Sequence, residues 1–128
     1  MRLLLDTHAF IWWDEAPSRL GASAYAACLD PANELAVSAV SAWEMQIKRA
    51  LGKLTIRKPL RQLIGDQVEH NALEVLPVSL EHVLRLDALP SIHKDPFDRL
   101  LVAQALAENC ALISHDPIVA QYPVTVIW

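Results

Sequence analysis

Glycine is scarce in this sequence: Gly21, Gly52 and Gly65 are the three in 128 residues, and none is near another. Their spacing excludes a phosphate-cradling P-loop and a GxGxxG dinucleotide loop. Cysteine is scarcer. Cys28 and Cys110 lie 82 positions apart, with no CxxC pair and no zinc spacing, and two are too few for a disulfide scaffold. A reduced, cytoplasmic setting is expected. No apolar run is long enough to span a bilayer, so no membrane association is expected. The first apolar run, Leu3–Leu5, stops at Asp6 and is no signal-peptide core. Basic charge is short as well: 11 Lys/Arg against 15 Asp/Glu give a net charge of −4. Such a chain is not an obvious nucleic-acid binder, because phosphate affinity comes mainly from clustered Lys and Arg.

What is abundant is apolar. Hydrophobic residues make up 53% of the chain, enough for a packed core. The length suits a single domain over residues 1–128. Short apolar runs alternate with helical patterns. Strands are expected at Arg2–Leu5, Leu35–Val37, Glu74–Val78, Ala111–Ser114 and Val124–Trp128. Helices are expected at His8–Glu15, Leu20–Leu29, Ser41–Leu51 (ended by Gly52), the stretch carrying Leu60, Leu63, Ile64 and Val68, then Leu80–Leu89, and Pro96–Asn109. The last is apolar almost all round and should be buried. Strands with little polar alternation, separated by helices, predict an α/β fold with a parallel sheet covered on both faces. Sites in such sheets form beyond the carboxyl ends of the strands.

The acids fall in that region. Asp6 follows the first strand, Glu44 sits early in the helix after the second, Asp95 and Asp98 open the buried helix, and Asp116 follows the fourth strand. Each has a structural alternative. Ser41 to Glu44 matches a capping box. Asp95-Pro96 and Asp116-Pro117 look like an N-cap followed by proline at the first helical position. Together, though, carboxylates on one partly buried edge repel one another. A hard divalent cation removes that penalty and takes up phosphate oxygens. The pattern therefore points to metal-dependent phosphoryl chemistry.

Leu4-Leu5-Asp6-Thr7-His8, Val37-Ser38 with Trp43-Glu44, HKDPFDRLLVAQA (His93–Ala105) and Leu112-Ile113-Ser114-His115-Asp116 resemble a PIN-domain ribonuclease. More narrowly, with the closing Val126-Ile127-Trp128, they resemble the VapC toxins of bacterial type II toxin–antitoxin pairs. The resemblance spans essentially the whole chain. It implies a PIN-like three-layer α/β/α sandwich with about five short strands. It also implies Mg²⁺- or Mn²⁺-dependent endonucleolytic cleavage of RNA that leaves a 5′-phosphate and a 3′-hydroxyl. The implied catalytic acids are Asp6, Glu44, Asp98 and Asp116, with Asp6, Asp98 and Asp116 as metal ligands. Thr7 and Ser114 match hydroxyl positions that orient carboxylates or waters, and Asp95 is an auxiliary acid and helix cap. The implied partners are RNA, a cognate VapB-type antitoxin and a second copy of the chain in a homodimer.

Six of the 11 basic residues, Lys48, Arg49, Lys53, Arg57, Lys58 and Arg61, lie within 14 positions. Lys48, Arg49 and Lys53 are candidate RNA contacts, weighed against a solvated helix end. His115 either touches RNA or is simply exposed. Trp12, Trp13, Trp43 and Trp128 offer either stacking on unpaired bases or buried packing, and packing is the expected role for most of them. His70, His82 and His93 read as ordinary surface or packing residues. The apolar helices around Phe10–Trp13 and Leu20–Leu29 serve either as core or as a groove for a partner. Three rival classes are weaker. A binding module that has lost catalysis would not need all four acids. An Asp-nucleophile phosphatase needs a second acid near Asp6. A phospho-acceptor domain needs paired leading acids.

Overall fold

The computed structural model describes residues 1–128. The strands are β1 (Arg2–Leu5), β2 (Glu34–Ser38), β3 (Glu74–Leu76), β4 (Ala111–Ile113) and β5 (Val126–Ile127). They form one sheet in the order β3-β2-β1-β4-β5, and every pairing is parallel. The helices are α1 (Thr7–Glu15), α2 (Ala22–Leu29), α3 (Ala39–Ala50), α4 (Leu60–Asn71), α5 (Leu80–Leu84) and α6 (Pro96–Ala107).

Alternation along the strands divides the core in two. Leu3, Leu5, Leu35, Val37, Ala111 and Ile113 face one way and pack with Phe10, Ala24 and Leu63 from α1, α2 and α4. Leu4, Ala36 and Leu112 face the other way, against Leu101, Val102 and Ala105 of α6. Phe10 and Ile11 are buried, as are Ala24 and Cys28 of α2, so these helices spend their apolar faces on the core rather than on an open groove. Helix α3 supplies Val40 to one core and Met45 to the other.

The chain winds outward from β1 through β2 to β3, then returns to add β4 and β5 on the opposite side of β1. The winding direction therefore switches between β1 and β4, where a crevice opens beyond their carboxyl ends. There the Asp6 N–H donates to the Ile113 carbonyl at 3.0 Å, fixing the exits of the two strands side by side.

Several element ends differ from the sequence expectations. Helix α3 starts two residues earlier than expected, capped by the Ser38 hydroxyl, which accepts from the Val40 N–H at 3.0 Å. The proposed Ser41–Glu44 capping box is thus wrong: Ser41 is helical and its buried hydroxyl has no hydrogen-bond partner. Leu80–Leu89 is not one helix, because the chain tightens into a 3₁₀ turn at Arg85–Ala88. The last three strands are each shorter than the apolar runs that carry them. Asp116-Pro117 opens a turn and a short 3₁₀ segment, Val119–Gln121, instead of a helix.

Candidate active site

The crevice is a cleft of about 310 Å³ lined by Asp6, Glu44, Asp95, Asp98 and Asp116, with Thr7, Lys48, His8, Trp12 and His115 completing it. Four separate chain segments supply the carboxylates. Asp6 is the N-cap of α1, and its Oδ1 accepts from the Ala9 N–H at 2.8 Å. That bond ties the carboxylate to the strand exit, since a capping side chain cannot swing away without orphaning a helical donor. Asp95 caps α6 in the same way, accepting from the Phe97 and Asp98 N–H groups at 2.8 and 3.2 Å. Pro96 at the first helical position fixes the backbone there. Asp98, in the first turn of α6, is thereby aimed into the cleft. Asp116 is held by a turn in which its Oδ1 accepts from the Ile118 N–H at 2.9 Å, while its own N–H donates to the Ser114 hydroxyl at 3.2 Å.

Glu44 is the most enclosed of these acids, 3% exposed. Both oxygens are engaged: the Thr7 hydroxyl donates to Oε1 at 2.5 Å, and Lys48 Nζ lies 2.6 Å from Oε2. Lys48, one helical turn on, is raised above its ordinary pKa chiefly by this hydrogen bond. Thr7 is thus placed beside a carboxylate, with its hydroxyl donating to Glu44. Lys48 lies inside the cleft as the counter-charge of Glu44, and is not a free contact for a nucleic-acid backbone. Arg49 and Lys53 are exposed outside it.

Sequence reading missed one member. His93 Nε2 lies 3.0 Å from Asp98 Oδ2 and 3.0 Å from Asp116 Oδ2, bridging the two acids. Its Nδ1 accepts from the Asp95 N–H at 3.3 Å, which leaves Nε2 turned toward the two carboxylates. The backbone N–H of His93 donates to the Tyr122 hydroxyl at 2.8 Å, which locks the segment before α6. The only sequence signal was its place five residues ahead of Asp98, at the head of the DPFDR stretch. His82, by contrast, is a buried packing residue that caps α5, and His70 is exposed. The tryptophans divide: Trp12, Trp13 and Trp128 are half-buried against the core, but Trp43 is 57% exposed and meets Phe97 edge-on at 5.0 Å.

The electrostatics fit a cation-binding centre. Burial, followed by the charges of Asp95, Glu44 and Asp6, pushes Asp98 up to about 7, while His93 pulls it back. Burial also raises Asp6, against hydrogen bonds from Ser114 and the Ala9 N–H. Acids lifted in this way by their own neighbours are short of positive charge. One lysine and one histidine do not neutralise five carboxylates. A hard divalent ion with oxygen ligands suits the remainder, and Asp98, Asp116 and His93 present ligand atoms within 4.8 Å of one another.

Comparison with known proteins agrees with this architecture. Residues 3–124 match the model of the PIN domain. Ribonuclease VapC22 of Mycobacterium tuberculosis (strain ATCC 25618 / H37Rv) is 30% identical over 115 residues, covering 89% of this chain and 86% of that protein. Among solved structures, VapBC2 from Rickettsia felis bound to a DNA fragment from their promoter superposes with a TM-score of 0.69. It shares 18% identity, with 98% of this chain and 97% of that chain covered. VapBC-1 from nontypeable Haemophilus influenzae gives a TM-score of 0.58 at 21% identity, covering 94% and 91%. At such identities the structural likeness speaks for the fold, and it joins the family match over nearly all of the chain. With its all-parallel sheet and its acids gathered at the β1–β4 switch, the chain belongs to the PIN-domain family.

Proposed function

We propose that the protein is a divalent-metal-dependent endoribonuclease, the toxin of a type II pair, neutralised by a VapB-type antitoxin. The observation that carries this reading is the convergence of Asp6, Glu44, Asp98 and Asp116 in one cleft from positions up to 110 residues apart. The similarity to a named VapC ribonuclease and to VapBC assemblies supports the substrate and the partner.

Asp6, Asp98 and Asp116 are the residues to hold Mg²⁺ or Mn²⁺. Such an ion, when bound, polarises a phosphodiester and makes water a nucleophile at neutral pH. The chain's own residues do the positioning. His93 holds Asp98 and Asp116 at a fixed spacing, and the α1 cap holds Asp6. Glu44, pinned by Thr7 and paired with Lys48, serves to position the water or to hold a second ion at the cleft wall. Arg99 has no part in the chemistry, because its guanidinium donates to the Pro90 and Leu86 carbonyls at 2.9 and 3.3 Å. Asp95 acts through the α6 cap, and the Ser114 hydroxyl acts on Asp6 and on the Asp116 N–H.

The test uses purified protein, expected to sediment as a homodimer of about twice 14.3 kDa. It should cut RNA with Mg²⁺ and not with chelator. Asp6→Asn and Asp98→Asn should each abolish cleavage while keeping the native circular dichroism spectrum. RNA binding without cleavage in the unmodified protein would favour the inactive binding module.

A further inference from the structure

The cleft has an unusual lining for a site that must hold a polyanion. Of its ten lining residues five are carboxylates, and the cation among them, Lys48, is already committed to Glu44. Phosphate attraction by the protein wall is therefore weak at the point where the chain must be held. The other available wall is made of rings. His8, Trp12 and His115 all line the cleft. They belong to one continuous aromatic array: His8 to Trp12 at 5.8 Å, Trp12 to Trp128 at 5.8 Å, and Trp128 to His115 at 5.0 Å. His8 and His115 are exposed. The His115 ring inclines only 31° from Trp128, so Trp128 backs it on one side.

Trp12 has a second exposure. It and His8 also line an adjoining cavity of about 370 Å³, bounded by Glu15, Arg19, Leu54 and Thr55. Arg19 there places its guanidinium 4.5 Å from the Trp12 ring centre. A nucleotide strand that lays a phosphate among the acids must send its neighbouring bases out of the cleft, and this wall is where flat ring surface meets it. Aromatic stacking serves every base and does not depend on net charge.

Building on the ribonuclease reading, we propose that the His8–Trp12–His115 wall is a base-stacking subsite that grips an unpaired nucleotide next to the scissile phosphate. The subsite takes an unpaired base, because a base in a duplex cannot leave its stack to reach it without loss of pairing.

The experiment measures fluorescence anisotropy in the cleavage-deficient Asp98→Asn background. The probe is an unstructured RNA of about 12 nucleotides, spanning a cleavage site mapped with the unmodified enzyme. Abasic ribose replaces each position in turn. Trp12→Leu should weaken binding roughly 5- to 150-fold, and Trp12→Phe should restore most of it. His115→Ala, at an exposed position, should weaken binding with no fold penalty. One abasic position beside the cut should cost the parent about what Trp12→Leu costs, and cost the Trp12→Leu protein little more. Full affinity in both Trp12→Leu and His115→Ala, or abasic losses equal in parent and Trp12→Leu, overturns the subsite while leaving the ribonuclease reading in place. Unchanged RNA affinity with weakened antitoxin binding assigns the wall to a protein and also overturns it. An unmodified enzyme that neither cuts nor binds RNA overturns the ribonuclease reading, and the subsite falls with it.

Discussion

Asp98 occupies the first turn of α6 with its carboxyl pushed up to about 7 from an ordinary 3.8, burial being the largest cause. Between those two values the folded chain binds a proton at this site that the unfolded chain releases. Stability from this group is therefore present at low pH and lost as pH rises through the folded value. The protein stripped of metal should melt at a lower temperature at about pH 8 than at about pH 5. Asp98→Asn should remove much of that fall and be the more stable form at the higher pH. Mg²⁺ should restore the melting temperature of the unmodified protein, because the ion replaces the proton. Thermal denaturation with and without chelator at the two pH values checks this, and a melting temperature that rises with pH in chelator would refute it. At the residue scale the acids were legible because each stands beside a strand exit or a helix start. His93 was not. Its role arises from Asp98 and Asp116, 5 and 23 residues away in sequence, and no local pattern distinguishes it from a surface histidine.

Helix α2 shows what element-level reading can and cannot reach. Its alanine-rich stretch was plain, but its start depends on the far end of the chain. Gly21 is the N-cap and provides no side-chain acceptor; the Ala24 N–H instead donates to the main-chain oxygen of Trp128 at 2.9 Å. A Cβ on Gly21 would lie 2.4 Å from that oxygen. That oxygen belongs to the backbone and a Cβ is fixed by its own Cα, so neither can move aside as the end of a flexible side chain would. Gly21→Ala should cost about 1–3 kcal/mol by forcing the segments apart. The displaced Trp128 should also lose its stack with His115. Chemical denaturation measures the first effect and tryptophan fluorescence the second. Unchanged values in both would show that the last strand shifts at no cost. The same logic explains the other misplaced ends. Ser38 took the α3 cap from Ser41 because β2 runs on to Ser38, pairing it with Leu76 of β3. The periodicity of Leu80–Leu89 persists through a 3₁₀ turn that apolar spacing does not report. Strand and helix types follow from pattern, whereas their ends follow from partners elsewhere in the chain.

Across the whole molecule, the net charge of −4 acquires a location. Setting aside Asp6, Glu44, Asp98 and Asp116 leaves 11 acids against 11 Lys/Arg. The excess negative charge equals the four proposed catalytic acids, and outside them the chain is balanced. Of the basic stretch, Lys48 is tied to Glu44 and Lys58 to Asp66. Arg49 and Lys53 are exposed and form no ion pair. They sit just past Lys48, where the Lys53 N–H donates to the Lys48 carbonyl at 2.8 Å. If they hold phosphates of a bound strand, each phosphate neutralised releases counterions, and the affinity carries a salt slope of about 0.7 per phosphate for single strands. Arg49→Gln with Lys53→Gln should therefore weaken RNA binding and flatten the plot of log affinity against log salt by about 0.7 for each phosphate no longer held. Trp12→Leu should weaken binding with the slope intact, since stacking releases no counterions. A titration series in salt on both variants separates the two kinds of grip. An unchanged slope after the double substitution would return Arg49 and Lys53 to the solvated surface and leave metal and rings as the main hold on RNA.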